Sequence, residues 1–141
     1  MILQQAMEAM MRGAALAVLC ALWAGAAFAA DPVDGTWKTL PDDNGNFGYV
    51  VIAPCGHKLC GTLTRSFDKA GKPMKSPNIG KKIVWDMLDR GHGHYDGGKI
   101  WAPDRDKTYA SVMDLKGETL SVAGCIAFGL ICRSQAWTRV K

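Results

Sequence analysis

The sequence has no long stretch in which apolar side chains repeat at the period of an amphipathic helix. After residue 29, short apolar or alternating runs recur instead, and Gly, Pro, Asn and Asp separate them. Such runs predict β-strands that are joined by tight turns. Parallel strands need a long crossover connection, which is usually a helix. The lack of helical runs therefore argues against a parallel α/β sheet and favours an all-β, antiparallel fold.

The sequence also lacks the short motifs of common catalytic chemistries. It contains no Gly-x-Ser-x-Gly, no phosphate-binding loop, no His-Glu-x-x-His, and no Ser, His and Asp in a known triad order. Residues 30–141 make one domain of ordinary size, which is too small for a two-domain enzyme. These absences favour a non-enzymatic protein that carries no cofactor.

Charge is modest and nearly balanced. The chain has 17 Lys and Arg against 13 Asp and Glu, a net charge of +4, and charged residues make up 21% of it. This basic density is below that of nucleic-acid-binding proteins, so we expect no nucleic-acid partner. A small positive charge favours solubility and a loose attraction to anionic surfaces.

An apolar N-terminal segment predicts export. Residues 13–28 are apolar and uncharged, Arg12 precedes them, and Ala27-Phe28-Ala29 ends the run. This order is typical of a secretory signal peptide, and the run is shorter than the ~20 residues of a membrane span. We therefore expect a cleaved signal peptide over 1–29 and a single periplasmic or secreted domain over 30–141, with an uncleaved anchor as the alternative. The start codon stays open between Met1, Met10 and Met11.

Export changes what the cysteines indicate. After the N-terminal segment they occur in two close pairs, Cys55 with Cys60 and Cys125 with Cys132. An even number of cysteines in an oxidising compartment predicts disulfides, and four cysteines allow three pairings. Nearness in sequence favours the two local pairs, although chain entropy does not choose between the pairings. A zinc site or a redox pair is a weaker alternative, because the spacings differ from those of either.

The apolar runs define eight predicted strands of an antiparallel sheet. In the seventh of them, Leu120, Val122 and Ile126 fall on one face and are predicted to be buried. Short strands joined by tight turns predict a small up-and-down β-barrel, which at this size is either filled by side chains or holds one small ligand. The predicted strands cover residues 35–39, 47–53, 60–66, 82–88, 99–102, 108–115, 119–127 and 133–140.

Several motifs carry a resemblance to a known family. The strand set opens with DGTW (34–37), continues through PCGHKLCG (54–61) and GGKIWAP (97–103), and closes with CRSQAWTRV (132–140). This series resembles the bacterial secreted family called domain of unknown function 2147, and its Gly-x-Trp and final Arg resemble those of the lipocalin and avidin superfamily, the calycins. The resemblance implies a lipocalin-like barrel and no particular reaction. It also implies structural roles, with an arginine packed over a tryptophan at the barrel floor, for Gly35, Trp37, Trp137 and Arg139.

Four residues are candidate ligand contacts. Leu63 and Arg65 are two apart in a predicted strand, so alternation places them on one face, where a lumenal arginine could hold an anionic group. The alternative is a solvated arginine at the barrel rim. The aromatic side chains of Trp85, Trp101 and Tyr109 could line an apolar pocket, although such residues more often belong to a core.

The sequence supports three functional hypotheses. The first is a barrel that binds a small apolar or amphipathic molecule or an envelope component. The second is an envelope interaction or stress-protection protein with a filled barrel, which contacts its partner through the basic loop 67–80. The third and weakest is a metal site on His57, His92 and His94, since these histidines more often lie solvated in turns. The oligomeric state is not predicted.

Overall fold

The computed structural model describes Gly25 and residues 29–141, and residues 31–141 form one compact unit. Most of the segment 1–29 lies outside the described residues, so the signal peptide stays a prediction. Within the described part of the chain, no helix is both long enough and apolar enough to cross a membrane.

The described residues form a closed antiparallel β-barrel. Eight strands pair in the order β2-β1-β9-β8-β7-β6-β5-β3, and the pairing of β2 with β3 closes the ring, while the two-residue β4 adds to the edge of β3. The predicted all-β, eight-stranded, up-and-down barrel is therefore confirmed. The strands are β1 (Gly35–Lys38), β2 (Phe47–Cys55), β3 (Lys58–Phe67), β4 (Pro73–Met74), β5 (Lys82–Gly91), β6 (His94–Ala102), β7 (Lys107–Lys116), β8 (Thr119–Ile126) and β9 (Ile131–Arg139).

Two parts of the strand prediction are wrong. The predicted loop 67–80 contains β4, whose two residues pair with the end of β3. The strand predicted at 99–102 begins five residues earlier, at His94. The glycines at 97 and 98 hid this extension, because they supply no side chains for an alternating pattern. A Cβ at Gly98 would clash with the carbonyl oxygen of Trp85, so glycine lets β6 approach β5 closely.

Large apolar side chains fill the barrel. Trp37, Trp137, Tyr95, Met87 and Met113 are buried completely or almost completely. They come from different strands and point inward by the alternation of the pleated sheet. This filling leaves room for a ligand only where the packing stops.

The two ends of the barrel differ. The closed end carries the turn 31–34 before β1 and the short turns that follow β2, β5 and β7. The open end carries the connections 39–46, 68–81, 103–106 and 127–130. Antiparallel pairing of successive strands places alternate connections at opposite ends, so residues far apart in the sequence meet at the open end.

Candidate functional site

A turn with one buried side chain seals the closed end. Val33 is fully buried, and its carbonyl oxygen accepts a hydrogen bond from Trp37 Nε1 at 2.8 Å. The Tyr95 hydroxyl donates to Asp31 Oδ1 at 2.6 Å. Burial, and then this carboxylate, raise the pKa of Tyr95 well above its usual value, so the phenol stays protonated and keeps donating.

Arg139 completes this floor. Its guanidinium lies 4.4 Å from the centre of the Trp37 ring and donates to the carbonyl oxygens of Asp34 and Pro32 at 3.0 and 2.6 Å. Gly35 has a φ of +132°, and a Cβ there would lie 3.0 Å from Arg139 Nη1. The backbone conformation at position 35 and the lack of space for a Cβ there both favour glycine. This is the arginine-over-tryptophan arrangement that the resemblance implies.

A cavity of about 330 Å³ opens at the other end of the barrel. Its deep part is apolar, with Val50, Leu63 and Ile83 among the lining side chains. Ile100 and Trp137 also line the cavity, and both belong to the packed core. The cavity therefore begins where the side-chain filling of the barrel ends.

The rim of the cavity is polar. It includes Asn46, Ser66, Ser76, Asn78 and Gln135, which can donate or accept hydrogen bonds. Gln135 Oε1 already accepts a bond from Trp137 Nε1 at 3.0 Å, which fixes the indole at the wall. Two acidic side chains, Asp42 and Asp104, also line the cavity beside these uncharged groups. An apolar base with a polar rim suits a molecule that has an apolar body and a polar end.

Of the four predicted ligand residues, Trp101 alone lines this cavity. Its Nε1 donates to Asp106 at 2.9 Å, and the ammonium of Lys81 lies 5.2 Å from its ring centre. Trp85 is half-buried, pairs with Lys99 and does not line the cavity. Tyr109 packs against the core and also lies outside the lining. The idea that all three aromatic residues share one pocket is therefore wrong.

The prediction that Leu63 and Arg65 share a face is also wrong. Tyr49 pairs with Arg65, and the next residue, Val50, pairs with Leu63, so Thr64 is an extra residue that forms a β-bulge. The bulge reverses the alternation along β3, which leaves Leu63 buried inside and Arg65 exposed. The Arg65 guanidinium lies 4.9 Å from the Phe67 ring centre and 6.0 Å from that of Tyr49.

The three histidines do not form a metal site within the part of the chain that the structure describes, where no group of three or more His, Cys, Asp or Glu could hold an ion. His57 and His92 are exposed in turns of the closed end. His94 lies in β6, and its Nδ1 is 2.7 Å from Asp114 Oδ1. That hydrogen bond is the main cause of a raised His94 pKa.

Two carboxylates that surround His94 were not predicted from the sequence. Asp96 is two residues along the same strand, with its Oδ2 3.5 Å from His94 Nε2, and Asp114 is the cross-strand partner in β7. Arg90 holds Asp96 at 2.6 Å and lowers the pKa of that carboxyl. The spacing His-x-Asp was a readable signal for one of these contacts, while the other depends on strand register.

Both predicted local disulfides are present. Cys55 bonds Cys60 across the β2–β3 turn, and Cys125 bonds Cys132 across the connection between β8 and β9. Each bond closes one hairpin on itself. The two local pairs were the favoured pairing of the sequence analysis, and this prediction is confirmed.

A closed antiparallel barrel with a sealed floor and a cavity at one end defines a lipocalin-like protein. In agreement, the fold is similar to a solved structure described as "Protein HP1028 from the human pathogen Helicobacter pylori belongs to the lipocalin family", with a TM-score of 0.63 and 16% identity over 80% of this chain and 85% of that one. Residues 35–139 match the family "Uncharacterized protein conserved in bacteria (DUF2147)", and the chain belongs to this family. A search of curated proteins gave no match.

Proposed function

We propose that the protein binds a small apolar or amphipathic molecule in the open-end cavity. The observation that carries this proposal is the contrast between the filled barrel and the unfilled space of about 330 Å³ above it. Ligand pockets range over about 300–1,000 Å³, so the cavity suits a small ligand and not a bulky one.

The residues that line the cavity favour ligand binding over catalysis. Ser66 and Ser76 are present among the lining residues, but no histidine or cysteine accompanies them. A serine nucleophile needs a neighbouring base, so this set supports hydrogen bonding to a ligand rather than covalent attack. The apolar part of the ligand would lie against Trp137 and Ile100, and its polar end would meet the serine and amide side chains of the rim.

We place this binding in the bacterial periplasm or outside the cell. The two disulfides support export, because such bonds form and persist in oxidising compartments. The apolar segment before Ala30 supplies the expected route. Fractionation of the native bacterium, with N-terminal sequencing of the recovered protein, tests this location.

A bulky side chain at the cavity mouth tests the binding site. We expect Ser66→Trp to fill the cavity and to weaken the binding of a neutral apolar fluorescent probe, N-phenylnaphthylamine, by about tenfold or more. Thr119→Trp is the matched control, because Thr119 is exposed at the closed end of the barrel. Fluorescence titration of both variants beside the wild-type protein measures the effect.

Equal probe binding by the wild-type protein and both variants would show that the probe does not use this cavity. Failure of the folded wild-type protein to bind any apolar probe would remove the basis for a carrier function. Circular dichroism and an intact mass with both disulfides establish that each variant is folded.

A further inference from the structure

The connection between β8 and β9 ends in an exposed apolar tip, which we define as residues 126–131. Ile126 is 52% exposed although the sequence pattern predicted it to be buried, and Ile131 is 60% exposed. Phe128 is fully exposed and Leu130 is 86% exposed. Soluble proteins rarely present such a cluster of large apolar side chains without a binding partner.

The tip is held in a fixed and unusual shape. Ala127 and Phe128 have φ values of +52° and +57°, a left-handed conformation that non-glycine residues seldom adopt. Leu130 N–H donates to the carbonyl oxygen of Ala127, and the Cys125–Cys132 disulfide closes the base of the turn. Because strained backbone persists where surrounding structure enforces it, this bonded turn presents Phe128 outward.

The tip is part of a larger difference between the two ends of the barrel. Among the described residues, all large apolar side chains that are exposed lie at the open end. Leu40, Met74 and Ile79 come from the other connections there and join the tip. The closed end has none of them. One end of the molecule is therefore suited to an apolar environment, and it is the end at which the cavity opens.

Charge at the same end is basic. Arg133 lies two residues after the tip, and residues 119–141 contain no Asp or Glu. Five lysines lie between residues 69 and 82, and Arg105 and Lys107 lie in or beside the connection 103–106. These basic side chains and Arg133 outnumber the acidic residues of the open-end connections, which are Asp42, Asp43, Asp68, Asp104 and Asp106. An apolar projection beside basic residues matches the two layers of an anionic lipid surface, since apolar side chains enter the acyl boundary and cations meet the headgroups.

We propose that the open end docks onto the surface of an anionic phospholipid bilayer, with the tip inserted between the headgroups. A second copy of the chain fits less well, because a stable dimer buries about 800 Å² on each partner, which is more than a six-residue tip offers. Two basic ends would also repel each other. Docking turns the cavity mouth towards the bilayer, and it does not depend on whether the cavity holds a ligand.

Vesicle flotation tests the docking. The protein used lacks residues 1–29, because that apolar segment would itself bind lipid, and residues 31–141 form a compact unit with a core of their own. We expect flotation with vesicles of phosphatidylethanolamine and phosphatidylglycerol, and weaker flotation with phosphatidylcholine alone or at high salt. The double variant Phe128→Ser/Leu130→Ser should lower the affinity for these vesicles by about tenfold or more, because it removes the two most exposed apolar side chains of the tip.

Two further variants make the test specific. Phe128→Trp should keep the binding, and its added fluorescence should shift to the blue when vesicles are present. Adding His57→Phe to the double variant restores one large apolar side chain at the disulfide-closed turn of the opposite end, and we expect no recovery of binding.

Equal flotation of the wild-type protein and the double serine variant would overturn the proposal, as would failure of the folded wild-type protein to float. Dimers that form without lipid and disappear in the double serine variant would show that the tip contacts a second copy instead. Probe binding to the cavity is measured without vesicles, so failure of docking and failure of the proposed function are distinguishable.

Discussion

At the residue scale, the closed end depends on a few contacts that leave little freedom for substitution. Arg139 contacts the Trp37 ring, the carbonyl oxygens of the turn 31–34, and Glu118, whose carboxylate lies 3.6 Å away. A guanidinium can serve all these partners because it is planar and has several donors. The residue thus ties the last strand to the turn that seals the barrel.

We predict that Arg139→Ala lowers the free energy of unfolding by about 2 kcal/mol, because the carbonyl oxygens of Pro32 and Asp34 lose a charged donor and the indole loses its cation. Arg139→Lys should recover only part of this loss. Arg133→Ala is the control, since Arg133 is exposed on β9 and its loss should cost less than about 0.5 kcal/mol. Urea denaturation measures all three values, and equal losses at 139 and 133 would contradict this account of the floor.

His94 predicts a pH dependence of stability. Its hydrogen bond with Asp114 raises the histidine pKa in the folded protein, so folding is favoured when the ring is charged. The contribution is fully present below the pKa of an unfolded-state histidine, and it disappears as the pH rises through the raised folded value. Because the pair is largely exposed, we expect a small effect, no more than about 4 °C in the melting temperature.

The measurement compares thermal melting of the wild-type protein and His94→Gln at two pH values. At about pH 5.5 the wild-type protein should melt at a higher temperature than His94→Gln. This difference between the two proteins should vanish by about pH 9. His57→Gln is the control, because His57 lies exposed in a turn. A difference that is the same at both pH values would mean that the His94 side chain stabilises the fold without its charge.

At the element scale, the two disulfide-closed hairpins differ in their support. The β2–β3 hairpin has a neighbouring strand on both sides, because β1 pairs with β2 and β5 pairs with β3. The outer part of β9 has only β8 beside it among the described strands, since β1 pairs with β9 at Trp37 and Lys38 alone. Residues 131–136 are accordingly exposed.

We predict that removing the two bonds has different consequences. Cys55→Ser/Cys60→Ser should lower the global free energy of unfolding by about 2 kcal/mol, the value for a short closed loop. Cys125→Ser/Cys132→Ser should lower the global free energy of unfolding by less, because the outer part of the β8–β9 hairpin can open while the barrel stays folded. In this variant the amide hydrogens at 126–131 should exchange faster than in the wild-type protein. Urea denaturation with hydrogen-exchange mass spectrometry checks both, and equal global losses without faster local exchange would contradict the prediction.

At the scale of the whole molecule, the alternation of apolar residues and the sequence motifs were sufficient to predict the barrel, but they did not predict the cavity. Alternating runs gave the strands, and the motifs around Trp37 and Arg139 indicated the floor. Alternation failed at Arg65, because one extra residue at Thr64 exchanges the inner and outer faces of β3. Nothing in a single sequence marks such a bulge when the residues around it are ordinary strand formers.

The cavity itself arises from tertiary structure. Its lining combines residues of β2, β3, β5, β6 and β9 with the connections 39–46, 68–81 and 103–106, which only barrel closure brings together. The exposed tip was missed for a different reason. An apolar run such as that at 126–131 is typical of a core, and its exposure follows from the hairpin extending past its neighbour β1.

The most direct test of the central claim is native mass spectrometry of the protein purified from its bacterial envelope, wild-type beside Ser66→Trp. The account predicts a single non-covalent adduct on the wild-type protein, which is lost under denaturing conditions, and none on the variant. The same adduct on both proteins, or none on either, would contradict ligand binding in the open-end cavity.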